Sequence, residues 1–361
     1  MSEANKNNYD LIVIGGGSAG MAAAIYAAKF GKRVKVFDAS GPNFDKPCGE
    51  GLMPPAIQAL RQLGVEIPES CLLSGVKYFS NSGHSAYAGF ANARSAMGIR
   101  RRILRQSMWK RATDLGVIIE QTSADRLAVG PNQIRVNDDF GAYLCVASGT
   151  NSRVLKQLGL NSTGRKKSKN QRFGLRRHLN VTPWSDCVEV YWRDYCELYV
   201  TPVSKTCVNI AILSWKPFQF EEILKLFPEV VSKISNAPWD DEASGRAPLF
   251  HRSSRVQAGR VLVTGDAAMF LDAMTGEGNT LAIRSGMAAA RSIVNGHPHL
   301  YRWYWLQVVW RYWLVTAPFL RASRGSWMRM HILNTLIKFP QLLRAGIAFL
   351  SSEPRIREEK L

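Results

Sequence analysis

The chain has 361 residues, an apolar content of 46% and a formal net charge of +19, from 47 lysines and arginines against 28 aspartates and glutamates. That length suits one large domain or two smaller ones, and that composition excludes wholesale disorder. Six scattered cysteines without a C-x-x-C pair and six dispersed histidines without H-E-x-x-H supply neither a disulfide framework nor a zinc site, so no metal is expected.

The positive charge has three possible explanations: nucleic acid, an anionic membrane, or a merely solubilising surface. Basic residues concentrate at Arg100 to Arg111, at Arg165 to Arg177 and along the C-terminal region, no nucleic-acid motif accompanies them, and aromatic residues crowd the end. A membrane surface is therefore the favoured partner, and nucleic acid is not expected. The polar start, MSEANKNNYD, lacks the apolar core of a secretory signal. The expected location is cytoplasmic, peripheral at the inner face of the membrane if the chain docks there.

The chain is organised around Asp10 to Asp38. Leu11 to Ile14 form an apolar run suited to a strand buried on both faces. Gly15, Gly17 and Gly20 then supply G-x-G-x-x-G at the turn into an alanine-rich helix, with Ser18 and Ala19 at its start. The first glycine permits the turn, the second lets a pyrophosphate approach the backbone, and the third lets helix and strand pack closely; the helix N-terminus faces the phosphate charge. A second buried strand, Val34 to Phe37, ends at Asp38, where an acid can accept hydrogen bonds from a ribose diol. A dinucleotide site follows, since an ordinary βαβ turn would leave Asp38 unexplained.

In Lys46 to Val65, KPCGEGLMPPAIQALRQLGV, Pro54 and Pro55 mark a helix start. Cys48 to Gly51 form a loop ahead of it, either a tight connection or part of a site. Residues 72–94 read as short strands. Arg101 to Gly116 reads as an amphipathic helix with Leu104, Met108 and Leu115 inward; its arginines suit a solvated face, although one near the helix start could reach a phosphate. Strands are expected at Val117 to Glu120 and Tyr143 to Val146, with a hairpin around Pro131-Asn132. Gly164 to Arg172 reads as an exposed basic loop or boundary.

Phe173 to Trp215 alternates as successive antiparallel strands. A helix around Glu221 to Leu226 follows, then a loop. Arg260 to Gly286 returns to a buried strand and a second Gly-rich turn. Asp266, directly after Val261 to Thr264, either faces a ligand at the sheet edge or caps a helix at Ala267 to Phe270. Two C-terminal helices are expected, Tyr301 to Leu320 and Met330 to Leu350, and Pro318 should kink or end the first. Their charges and prolines argue against a membrane span. They either lie on a lipid surface, where tryptophan and arginine are favoured, or cover the substrate region.

Together these blocks resemble the flavoprotein superfamily of p-hydroxybenzoate hydroxylase-like monooxygenases, flavin-dependent halogenases and geranylgeranyl reductases. The resemblance covers roughly residues 8 to 295. It implies an α/β fold: a discontinuous Rossmann-type FAD-binding domain (1–72, 95–163 and 255–298), an antiparallel-sheet substrate domain (73–94 and 164–254) and a helical C-terminal extension (299–361). Gly15, Gly17, Gly20 and Asp38 match the FAD fingerprint, and Arg101 falls where the family contacts the FAD phosphates. GDAAMFLDAMTGEGNTLA matches the block in which Asp266 would hold a ribityl hydroxyl and the Gly276, Gly278 and Asn279 region would lie against the flavin pyrimidine ring.

KPCGEGLMP and YVTPV…VNIA look most like the geranylgeranyl-reductase branch. Cys48 and Glu50 would then lie beside the flavin, with Tyr199 and Pro202 in the sheet over the substrate. The sequence departs from the family at Ser148, where an aspartate tied to NAD(P)H use is expected, and at Asp272-Ala273, where Asp-Pro is usual. The leading expectation is an FAD-dependent monooxygenase acting on a lipophilic aromatic or polyketide-like substrate with NAD(P)H as donor. The alternatives are a reductase passing a hydride to isoprenoid double bonds and a non-catalytic flavin redox partner.

Overall fold

The computed structural model describes residues 7–81, 83–90, 96–150, 153–161, 172–234, 237–247 and 249–351. Its elements begin with β1 (Asn8–Ile14), α1 (Ser18–Lys29), β2 (Val34–Phe37), α2 (Pro54–Leu63), β3 (Gly75–Phe79) and β4 (Ser85–Gly89). They continue with α3 (Arg101–Asp114), β5 (Ile118–Glu120), β6 (Asp139–Val146), β7 (Phe173–Leu179), β8 (Val188–Trp192), β9 (Cys196–Ser204) and β10 (Cys207–Ser214). The last are β11 (Ser244–Arg246), β12 (Val261–Val263), α4 (Gly278–Val294), α5 (Tyr301–Ala322), α6 (Ser326–Lys338) and α7 (Pro340–Ser351).

A parallel array β12-β6-β1-β2-β5 forms the first sheet. Leu11, Ile12 and Val13 are wholly buried, as a strand covered on both faces requires. Helices α1 and α4 pack together against it, closely enough that a Cβ on Gly286 would meet the Ala19 carbonyl oxygen at 2.1 Å. The second sheet has the order β11-β7-β10-β9-β8-β3-β4 and is antiparallel except where β8 meets β3. A small sheet joins the two regions: Ala96–Gly98 pairs with Gly51–Leu52, and a Cβ on Gly98 would lie 1.7 Å from the Pro202 carbonyl oxygen. Only glycine permits that approach.

The C-terminal helices differ from expectation in two ways. Helix α5 does not end at Pro318 but continues to Ala322, because one proline removes only one backbone donor and packing holds the rest. The apolar stretch expected as one helix from Met330 is two, broken at Phe339, whose backbone (φ −125°, ψ 74°) leaves the helical region that a residue before proline disfavours. The segment expected as a loop after Leu226 also holds a short helix, Pro228–Ile234, with Val230 and Ile234 buried against the antiparallel sheet.

All three C-terminal helices contact the rest of the chain. Tyr301, Trp305, Val309, Tyr312 and Thr316 form a buried stripe on α5, and Leu333 and Leu343 anchor α6 and α7. The buried guanidinium of Arg329 on α6 donates to the carbonyls of Ser323, Arg193 and Cys196. These helices therefore cover the edge of the second sheet formed by β8, β3 and β4. None of the described helices is long and apolar enough to cross a membrane.

Candidate active site

Strand register places the site. Ile14 pairs with Phe37 and Val146, and Val146 pairs with Val263, so four parallel strands end level. The residues that follow them, Gly15, Asp38, Ala147 and Thr264, begin loops on one carboxyl edge, where open α/β sheets bind ligands. A cavity of about 590 Å³ opens there and runs under the second sheet.

The glycines divide their work as their spacing predicts. Gly15 sits at φ +104°, and a Cβ on Gly20 would strike the Gly15 carbonyl oxygen at 1.8 Å. A Cβ on Gly17 would meet nothing within 4 Å, because that backbone faces the open cavity at the start of α1. Space of this kind beside a helix N-terminus fits a pyrophosphate. Ser18 and Ala19 line the same wall, and Arg101 donates to the Ser18 hydroxyl at 2.6 Å.

Asp38 also faces the cavity, but its carboxylate is already engaged. It accepts from the amides of Gly16 (2.5 Å), Ser40 (2.9 Å) and Gly41 (3.0 Å) and from the Arg105 guanidinium (2.7 Å). A ribose diol would share the carboxylate with Arg105. Arg101 is buried and turned to the site, where the resemblance placed it, and the reading of the remaining α3 arginines as a solvated face is corrected at Arg105, four residues on, which is also buried and faces the cavity. The i, i+4 spacing was the available signal for Arg105.

Asp266 does not cap a helix. It lies in a 3-10 turn, Gly265–Ala267, that leads into a short strand, and its carboxylate meets Lys46 at 2.7 Å and Arg246 at 3.0 Å. Burial opposes its charge, but the two cations more than offset that and hold the carboxyl down at about 2. Gly276, at φ +69°, turns the chain into α4, and Gly276, Gly278 and Asn279 all line the cavity. Unpaired amides at the start of that helix suit the electron-rich edge of a flavin ring. Burial pushes the neighbouring Glu277 carboxyl up to about 7.

Cys48 completes this wall. Its sulfur lies 3.5 Å from Asn279 Nδ2 and 3.3 Å from the Glu50 amide, and burial raises its thiol pKa, keeping it protonated. Asn209 holds the loop by donating to the Cys48 carbonyl at 2.9 Å. Glu50, at φ +61°, is the clasp: Oε1 accepts from the Arg101 amide (2.7 Å) and Oε2 lies 2.6 Å from His178 Nε2. His178 Nδ1 in turn lies within 2.8 Å of both Asp241 and Arg176. Asp45, His178 and Asp241 present ligand-type atoms within 4.8 Å of one another, but the Arg176 guanidinium lies among them and pairs the carboxylates itself.

The far half of the cavity is apolar, walled by Val76, Phe90, Val190, Leu213, Met274 and, from α7, Ile347. Tyr199 lines it, its hydroxyl directed to Glu197 (3.0 Å) and the Met274 carbonyl (3.2 Å). Pro202 is not part of this wall; its carbonyl packs on Gly98. Behind the wall, buried Arg172 pairs with Asp272 at 2.6 Å and with Glu197. Arg172 had been expected at the end of an exposed loop; the remainder of that loop lies outside the described residues. The network also explains how Asp272 is held without the usual proline: Arg172 pairs its carboxylate and Met274 donates to it at 2.9 Å.

A phosphate cradle, a hydroxyl-binding carboxylate and a helix-start amide cluster in one cavity define a flavin-dinucleotide enzyme, and the residues present fit FAD. A family model described as pyridine nucleotide-disulphide oxidoreductase matches residues 9–83, the first nucleotide-binding unit. Menaquinone reductase of Mycobacterium tuberculosis (strain CDC 1551 / Oshkosh) is 26% identical over 78% of this chain and 75% of its own. Digeranylgeranylglycerophospholipid reductase of Thermoplasma acidophilum is 24% identical over 78% of this chain and 77% of its own. The structure of halogenase PltM in complex with phloroglucinol and FAD superposes with a TM-score of 0.74 at 14% identity, covering 95% of this chain and 85% of that one. The chain has the fold of the FAD-dependent monooxygenase and geranylgeranyl reductase-like superfamily and is an FAD-dependent oxidoreductase.

Proposed function

We propose that this enzyme is a reductase that saturates a double bond of a long apolar lipid of the isoprenoid or prenylated-quinone class. The observation that carries the reading is the continuity of the cavity, from the nucleotide cradle past Cys48 into a chamber walled by aliphatic and aromatic side chains. Such a chamber gives a polyisoprenoid chain apolar contact and offers a polar substrate few partners. The names of the two reductase relatives support a substrate of this class. This order puts the reductase ahead of the hydroxylation favoured by sequence alone.

The chemistry that FAD supplies when bound here is hydride transfer. The chain's own groups bind and orient. The amides of the α1 start and Arg101 would hold the FAD phosphates, Asp266 would accept from the ribityl chain, and the Gly276–Asn279 turn would supply amides to the ring edge. Saturation also needs a proton on the neighbouring carbon. Cys48, kept as the neutral thiol by burial and facing the same cavity, is the group we assign to give it. Glu50 and His178 are positioning residues that fix the Cys48 loop to α3 and β7. NAD(P)H is the proposed donor, although Ser148, which lines the cavity, stands where the resemblance expects the aspartate tied to its use.

Hydroxylation of an aromatic ring is the second reading, favoured by the shared fold with a halogenase bound to phloroglucinol. Turnover without oxygen separates the two, since only the reductase proceeds anaerobically.

A further inference from the structure

We infer that the outer face of α5, α6 and α7 docks on an anionic lipid bilayer, bringing the apolar chamber to the source of its substrate. The inference deepens the lipid-reductase reading and rests on it for the identity of the cargo, but not for the docking itself.

Helix α5 is apolar on two opposite sides. One side is the buried stripe from Tyr301 to Thr316; the other exposes Trp303, Trp310, Trp313 and Leu314. At Trp303, Trp313 and Leu314 this second side has no partner element over it among the described residues, and water covers such an aromatic surface only at a cost. The exposed aromatic surface continues on α6 and α7. Trp327 is 73% exposed and Leu342 54%, and the ring of Phe349 on α7 meets Trp310 at 6.0 Å. Arg311 lies over both of those rings, tying the two helices together.

Charge identifies the partner. Gly278 to Ser352 contains no aspartate or glutamate but nine lysines and arginines. Arg302, Arg321, Arg324, Lys338 and Arg344 are exposed among the aromatic residues, and of the basic residues on the three C-terminal helices only Arg329 is buried. Tryptophan at headgroup depth with arginine and lysine reaching anionic headgroups is the pattern of an interfacial surface. Helix α7 also turns Ile347 and Leu350 into the cavity. One helix diameter, about 10 Å, then separates the chamber from docked lipid.

The test is co-sedimentation of the full-length, FAD-loaded chain with vesicles. It should pellet with mixed phosphatidylglycerol and phosphatidylcholine, weakly with phosphatidylcholine alone, and less as salt rises. A variant carrying Trp303→Ser, Trp313→Ser and Trp327→Ser alters only exposed side chains. It should keep its flavin content and lose binding by about tenfold or more. No pelleting of the wild type at low salt, or equal pelleting of the variant, overturns the inference. So does a wild-type dimer in sedimentation velocity that the variant dissolves, since a second copy would then cover the face. Turnover on detergent-dispersed lipid is scored separately: docking without turnover sinks only the reductase reading, and turnover without docking sinks only this one.

Discussion

Nε2 of His178 lies 2.6 Å from Oε2 of Glu50, and both side chains are fully buried. The contact joins β7 of the second sheet to the Cys48–Gly51 loop of the first region, while the other Glu50 oxygen holds the first amide of α3. One carboxylate thus orients Cys48 and Arg101 together, and it does so from a left-handed backbone that a non-glycine residue adopts only when surrounding contacts compel it.

His178→Ala should leave that buried carboxylate short of a partner, destabilising the fold by about 3 kcal/mol. It should also lower flavin retention by freeing the loop. Glu50→Gln combined with His178→Ala should cost less than the sum of the two single changes, because they remove one interaction. Chemical denaturation and flavin absorbance after gel filtration measure both effects. Additive costs with full flavin content would show that the clasp does not position the site.

Gly17 and Gly20 should separate binding from folding. Gly17→Val places its side chain where no protein atom lies within 4 Å, at a backbone (φ −77°, ψ −177°) open to any residue. It should fold with an unchanged melting temperature and purify colourless. Gly20→Ala drives a methyl into the Gly15 carbonyl and should cost about 3 kcal/mol. A yellow Gly17→Val protein would contradict the phosphate assignment.

Legibility followed sequence distance. The strand, glycines, helix, strand and Asp38 form one local unit whose physics is complete within 29 residues, and the structure places them as that physics requires. Asp266 was open between two local readings, and only the charges of Lys46 and Arg246, distant in the chain, settle its surroundings. Arg105 was misread because a basic residue on an amphipathic helix is usually solvated, and the acid that draws it inward is 67 positions away. His178 and Arg176 lie on β7, within a stretch read only as alternating strands, and Arg172 stands just before it, in a stretch read as an exposed basic loop or boundary. Their partners Glu50, Asp272 and Asp45 come from other parts of the fold, so no local pattern could reveal that they are buried.

Glu277 predicts a pH effect. Its carboxyl rises from 4.5 to about 7 because burial penalises the charge. A raised folded-state value gives stability that is present below the unfolded value and lost as pH climbs through the folded one. Glu277→Gln removes the loss, so its stability relative to wild type should rise between pH 5 and pH 8, by about 3 kcal/mol at most. Urea midpoints across that range provide the measurement, and a constant gap between the proteins would show that Glu277 is not held neutral.

The central claim is that the apolar chamber presents a lipid double bond for saturation, and anaerobic mass spectrometry tests it most directly. FAD-loaded protein reduced in the absence of oxygen is incubated with isoprenoid lipid extract and deuterated buffer. The expected product is heavier by two hydrogen atoms, both carried as deuterium because the N–H of a reduced flavin exchanges with the buffer, and it forms more slowly in Cys48→Ala. No anaerobic product, together with incorporation of one labelled oxygen when O2 is admitted, would contradict it.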